Sequence, residues 1–285
     1  MSIILLNRLD WHSILSQSKH FNLSRTVSVT DDFRHFSKCN LIFLLLDFKI
    51  TMSYFLRLFL ILPFLAFSQT EFDKAEKLFL QGNYSQAELL LEKFVKSNPN
   101  HLKALEYLGD INGHEKNWET SLAYYKKLKK LKPNEANYHY KYGGVLGMIA
   151  KDANKFKALG MIGEIKSEFE KAISLQPNHI EARWALIELY LQLPGIAGGS
   201  EKKATQYANE LLQISPVDGW LAKGRISEYF NRFAVAETHY KKAIEIGSSK
   251  TTYQKLADLY KNKMNQPERA KLLMENYRKA QVNKT

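Results

Sequence analysis

One phrase recurs along this chain at a spacing of 34 residues. LLLEKFVKSNPN ends at Asn100 and AYYKKLKKLKPN ends at Asn134, so Pro99 and Pro133 stand 34 residues apart. The phrase returns as SEFEKAISLQPN ending at Asn178, weakly as YANELLQISPVD ending at Asp218, and as THYKKAIEIG ending at Gly247. A repeat of this length in helix-forming residues implies stacked helix pairs, because one pair alone cannot bury its apolar face. The expectation is an all-α fold: a right-handed superhelical solenoid of about six helix pairs. Arrays of this kind hold partners more readily than they do chemistry.

The amino-terminal part reads differently. Residues 1–51 carry no sustained helical or strand period and are read as translated upstream sequence. From Met52 the chain has a short positive segment with Arg57, an apolar run over 58–67, and Ala66-Phe67-Ser68 before Gln69. These are the parts of a secretory signal peptide, placing it at 52–68 and the solenoid at 69–285. The run is too short to span a bilayer of about 30 Å. Asp47 and Lys49 interrupt its upward extension, although an anchor over 41–67 behind a genuine tail is the alternative. The expected location is therefore periplasmic or secreted, with no stable membrane span after cleavage. The single cysteine, Cys39, falls in the upstream segment, so a chain from Gln69 has no disulfide or cysteine-based metal site. The formal charge is +12, and removing residues 1–68, with seven basic and four acidic side chains, leaves +9. Lysines spread through phrases such as YYKKLKKLKPN mark solvated helix faces, and an exported chain does not meet nucleic acid.

The units can be laid over one another. Residues 68–101 place Ala75, Tyr84, Ala87, Leu91 and Pro99 at fixed positions, with Phe94 where a small residue is usual. The next unit has Gly109, Trp118, Ser121, Tyr125, Leu128 and Pro133 at the same places. A third has Gly143, Phe169, Ala172 and Pro177, with about ten residues too many between Gly143 and Phe169. A fourth, about five too long, has Ile187, Ala204, Ala208, Leu211 and Pro216. A fifth has Gly224, Phe233, Ala236, Tyr240 and Ala243, and a degenerate sixth has Ala257, Ala270, Met274 and Tyr277, ending near Lys284. This pattern resembles the tetratricopeptide repeat family, in which small residues let helices A and B approach, large ones fill the gap to the next repeat, and proline ends helix B. The stretch 142–200, with its long third repeat and PGIAGGS loop, resembles a group of bacterial secreted tetratricopeptide proteins. The resemblance implies a protein-interaction fold and no assigned activity.

Two places suit a partner. Both insertions are read as lengthened turns between helices A and B, projecting from one edge of the array. The first carries Phe156, Leu159, Met161 and Ile162 among Lys151, Lys155 and Lys157. The second carries Pro194, Ile196 and the glycines Gly195, Gly198 and Gly199, whose backbone N–H groups could cradle an anion. PGIAGGS lacks the GK[ST] ending of a P-loop. The second place is the inner helix-A groove, lined by Asn137, Tyr140, Gly144, Gly147, Glu181, Trp184, Glu188 and Leu191, with Arg225 from the fifth repeat. Glycines there suggest close approach by the inserted segment or a ligand. The partner-binding candidates are thus Tyr140, Trp184, Glu188, Arg225, Phe156, Leu159, Met161 and Ile196. The resemblance implies no carboxylate clamp, because Phe72, Glu76 and Asp110 occupy its places.

Catalytic patterns are missing from the sequence. His114-Glu115 is not HExxH, since Trp118 stands at the second histidine position, and neither GxSxG nor GxGxxG occurs. His101, His139, His179 and His239 sit in different repeats without a ligand-type neighbour one turn away. No cofactor and no metal are expected. The reading is a non-catalytic interaction scaffold of the bacterial envelope with a protein or peptide partner. An accessory subunit of an envelope enzyme or assembly complex, and a small-ligand or anion binder at the glycine loop, are the alternatives.

Overall fold

The computed structural model describes residues 71–282, and the proposed upstream segment, signal peptide and Cys39 lie outside the described residues. The described chain is helical from end to end. Helix α1 covers 71–80. It is followed by α2 (Tyr84–Ser97), α3 (Leu102–His114), α4 (Trp118–Leu131), α5 (Ala136–Asp152), α6 (Lys155–Leu175) and α7 (Ile180–Gln192). A 3-10 turn (Gly195–Ala197) precedes α8 (Glu201–Ile214), α9 (Pro216–Tyr229), α10 (Phe233–Ile246), α11 (Lys250–Asn262) and α12 (Pro267–Val282). Among the described residues there is no strand, and twelve helices follow one another at the spacing the period requires.

The repeat punctuates itself by local backbone chemistry. Asn98, Lys132, Gln176 and Ser215 each precede a proline and each leave the helical region at φ −128°, −137°, −131° and −143°. Pro216 differs from the other three prolines in opening a helix as well, since it is the first residue of α9. The turn from helix A to helix B uses one left-handed residue: Gly82, Lys116, Asn231 and Asn265, at φ 76°, 65°, 58° and 53°. Histidine supplies helix caps where serine is more usual: His101 Nδ1 accepts the Ala104 N–H and His179 Nδ1 accepts the Ala182 N–H, both at 3.2 Å.

The chain divides into two compact units. In residues 71–114, Phe72, Phe94, His101 and Tyr107 form a ring cluster, and the Tyr107 hydroxyl donates to Glu76 at 2.5 Å. In residues 115–282 each helix packs on the next, and the A helices also touch in series, α5 on α7, α7 on α9 and α9 on α11. They form one wall. The small positions do what the pattern demands: Ala172, Ala204, Ala208, Ala236 and Ala243 are wholly buried. A Cβ on Gly143 would sit 3.0 Å from the Phe169 ring, and one on Gly224 would run into the Tyr240 ring.

The third repeat departs from the expected form. Its extra residues do not lengthen a turn. They lengthen both helices, to 17 residues in α5 and 21 in α6, joined through Ala153 and the cap Asn154, whose side chain accepts the Lys157 N–H. The reason lies in the buried stripes, which continue at helical spacing through Tyr142, Leu146 and Ile149 on α5 and Ile165, Phe169 and Ala172 on α6. Polar groups brace the junction. Glu168 accepts from Lys129 and meets His139 Nδ1 at 2.6 Å, while Tyr142 donates to Glu164 at 2.9 Å. At the other end of the unit Glu237 joins α10, α11 and α12. Burial alone would raise its pKa, but hydrogen bonds from Lys241, Tyr260 and Arg269 outweigh this and hold it at about 2.

Two measurements check this packing. Gly224→Ala forces the Tyr240 ring aside and is expected to cost about 1–3 kcal/mol in urea unfolding. Gly147→Ala, whose Cβ meets nothing within 4 Å, is expected to stabilise by about 0.5–1 kcal/mol. The second check is pH. A carboxylate held below its ordinary value of 4.5 contributes stability above that value and loses it as pH falls toward about 2. Glu237→Gln should therefore lower Tm at neutral pH, and the gap to the parent should close across that acid window.

Candidate functional site

The helix-A wall of the fourth and fifth repeats is built from two rungs, one helical turn apart on α7 and two turns apart on α9. Trp184 on α7 donates its indole N–H to Asp218 Oδ1 on α9 at 3.0 Å. Asp218 is held in turn by the Ser215 hydroxyl at 2.6 Å. Further along, Arg225 on α9 grips Glu188 on α7 through both ends of its fork, Nε to Oε1 at 2.8 Å and Nη2 to Oε2 at 3.1 Å. Burial opposes the charge of Arg225, yet the Glu188 carboxylate outweighs it and holds the guanidinium above its ordinary pKa. Trp184, Glu188 and Arg225 are all partly exposed. Trp184 and Trp220 pack on the core around Leu221 and Tyr240. The Lys223 and Lys242 ammonium groups lie 5.3 and 5.2 Å from the Trp220 ring. The wall is thus an aromatic and guanidinium surface whose side chains are already fixed.

Two of the groove residues are corrected. Tyr140 is only 4% exposed, wedged against the Phe169 and His179 rings, and burial pushes its hydroxyl pKa well above the ordinary value. It is a core residue and presents nothing to a partner. Leu191 is buried too. The expected close approach occurs at Gly143, against Phe169, whereas Gly147 faces open space.

The inserted edge also divides. At the tip of the α5–α6 hairpin, Phe156 is 89% exposed and Leu159 half exposed, while Met161 is partly buried. In the fourth repeat Ile196, on the 3-10 turn, is fully exposed. The glycines beside it do not make an anion cradle. The Ala197 and Gly199 N–H groups donate to the Pro194 carbonyl, Gly198 to Gly195, and Ser200 to Tyr190. Closing the loop uses those donors up. Its glycines answer to geometry: Gly198 sits at φ 94°, and a Cβ on Gly199 would collide with the Leu193 carbonyl. Arg232, in the α9–α10 turn, pairs with Glu201 at the start of α8, so the fourth and fifth repeats share this edge. Tyr229 and Phe230 add exposed rings to it. These two, Asp218 and Trp220 were missed in the sequence. The signal for Asp218 was present, since it follows Trp184 by one repeat length of 34 residues.

Comparison with known proteins agrees with the helical-repeat fold. The family model described as Tetratricopeptide repeat matches residues 66–136, supporting the resemblance over that stretch. No curated protein matches the chain in sequence. Among solved structures, the chain is similar to a thermophilic tetratricopeptide-repeat protein of Thermus thermophilus, at 18% identity over 67% of this chain and 98% of that one, with a TM-score of 0.55. It is also similar to PilW, described as a widely conserved type IV pilus biogenesis factor, at 17% identity over 73% and 91%, TM-score 0.55. A tetratricopeptide repeat protein from Parabacteroides merdae aligns at 18% identity over 73% and 78%, TM-score 0.53. At these identities the likeness is one of fold. Tetratricopeptide folds are generally non-catalytic and mediate protein–protein interactions.

Proposed function

We propose that this protein is a non-catalytic scaffold of the bacterial envelope that binds a peptide or protein partner on its helix-A wall. One observation carries the reading: Trp184 and Arg225, residue types that dominate binding energy at interfaces, are braced across two repeats by Asp218 and Glu188 yet remain partly exposed. A wall fixed before binding loses little side-chain entropy when a partner docks.

Affinity capture from envelope extract tests the docking surface. The parent chain is expected to retain a defined protein that Trp184→Ala and Arg225→Gln release, with each variant matching the parent in far-UV circular dichroism. Capture unaffected by both substitutions rejects the wall. If the retained protein is an enzyme or assembly component, the scaffold acts as its accessory subunit. The envelope location rests separately on the segment from Met52 to Ser68. Expression from Met52 should give an exported chain whose first residue is Gln69 or within a residue or two of it. Native peptides from residues 1–40 would reject that start.

A further inference from the structure

The tip of the α5–α6 hairpin is separate from the helix-A wall and has its own chemistry. Phe156 stands almost free of the protein, and Leu159 follows it at helical spacing on the same face. Gly160 and Gly163 extend that face, and a Cβ on either would meet nothing within 4 Å. Lys155 and Lys157 flank the phenyl ring, and neither ammonium has an ion-pair partner among the described residues. The first turn of α6 holds no acidic residue. The carboxylates closest in sequence already accept hydrogen bonds elsewhere: Asp152 from the Trp118 indole N–H at 3.2 Å and Glu164 from the Tyr142 hydroxyl at 2.9 Å.

On the side of α7 the tip also projects. Lys166 bonds the Tyr190 hydroxyl near the end of α7, and α6 begins eleven residues earlier. At about 1.5 Å per residue, the first turn of α6 lies about 16 Å beyond that level. The start of α4 reaches this level, since Trp118 bonds Asp152, yet Phe156 stays almost wholly exposed and sits in no groove of its own chain. A fluid bilayer needs none. Its interface accepts aromatic and aliphatic groups, and its acidic headgroups attract neighbouring lysines.

We propose that this hairpin tip contacts an anionic phospholipid surface, with Phe156 and Leu159 entering the interface while Lys155 and Lys157 meet lipid phosphates. The inference goes beyond partner binding: the wall holds the partner, and the tip holds the scaffold against a membrane.

A local probe tests it in the full chain. Cys39, the only cysteine, is replaced by serine, and Gly160→Cys carries an NBD fluorophore at an open position. Vesicles of equimolar phosphatidylcholine and phosphatidylglycerol should shift the emission to the blue and raise it, and doxyl-labelled lipid should quench it. Pure phosphatidylcholine should give little response. Replacing Lys155 and Lys157 with glutamine should weaken the response by roughly tenfold or more. Phe156→Ser with Leu159→Ser should abolish the blue shift, with the far-UV spectrum unchanged in each case. The probe reads its own surroundings, so binding by other segments does not mimic the signal. Unchanged emission with anionic vesicles overturns the proposal, as does an equal response to neutral ones. A response to a soluble acidic Leu/Glu peptide, with none to vesicles, would make the tip a peptide-docking surface instead.

Discussion

An aromatic ring laid over a residue without bulk sets the distance between the two helices of a repeat. Phe169 lies over Gly143 and Tyr240 over Gly224, with no room for a Cβ at the second site. On the neighbouring helices Ala172 and Ala236 are wholly buried. The rest of the wall depends on that spacing. The two rungs from α7 to α9 close at hydrogen-bond length only because each A helix is seated at a fixed depth on its B helix. Tyr240 belongs to both levels, since its ring fills the space at Gly224 and its hydroxyl donates to Glu228 at 2.8 Å.

Most of the fold was legible because each demand of the repeat is local. A proline forces the preceding residue out of the helix, and a small residue such as Gly143 or Gly224 marks the crossing. What misled was the third repeat. Its surplus between Gly143 and Phe169 fits equally well in a turn or in two longer helices when only length is counted. The deciding signal was the apolar period, which runs unbroken through Ile149 and resumes at Ile165. The left-handed turn residues were also hard to see. Lys116, Asn231 and Asn265 share a conformation with Gly82 but not its residue type.

The candidate site was less legible, for a different reason. Trp184, Glu188 and Arg225 could be placed on one face from their helix positions alone. Their partners could not, because the pairs span α7 and α9 and depend on how successive A helices stack. Tyr140 has the same repeat position as Trp184 yet is buried, since His179 and Phe169 close over it. The glycine loop shows the same limit. Glycines in series allow exposed N–H groups, but whether those groups are free depends on how the turn closes, and here the Gly195 and Pro194 carbonyls take those of Gly198 and Gly199.

The contrast between the wall and the hairpin tip is one of order. On the wall, polar groups are satisfied within the protein, so a partner meets a surface with little conformational freedom left to lose. At the tip, Phe156 and the two lysines have no internal partners, and fixing long cationic side chains against a rigid protein surface would cost rotamer entropy. A surface that leaves those side chains mobile, while taking their charge and burying the ring, suits them better. The two surfaces therefore select occupants of opposite kind, one ordered and one fluid, and they lie on different parts of the same helical unit.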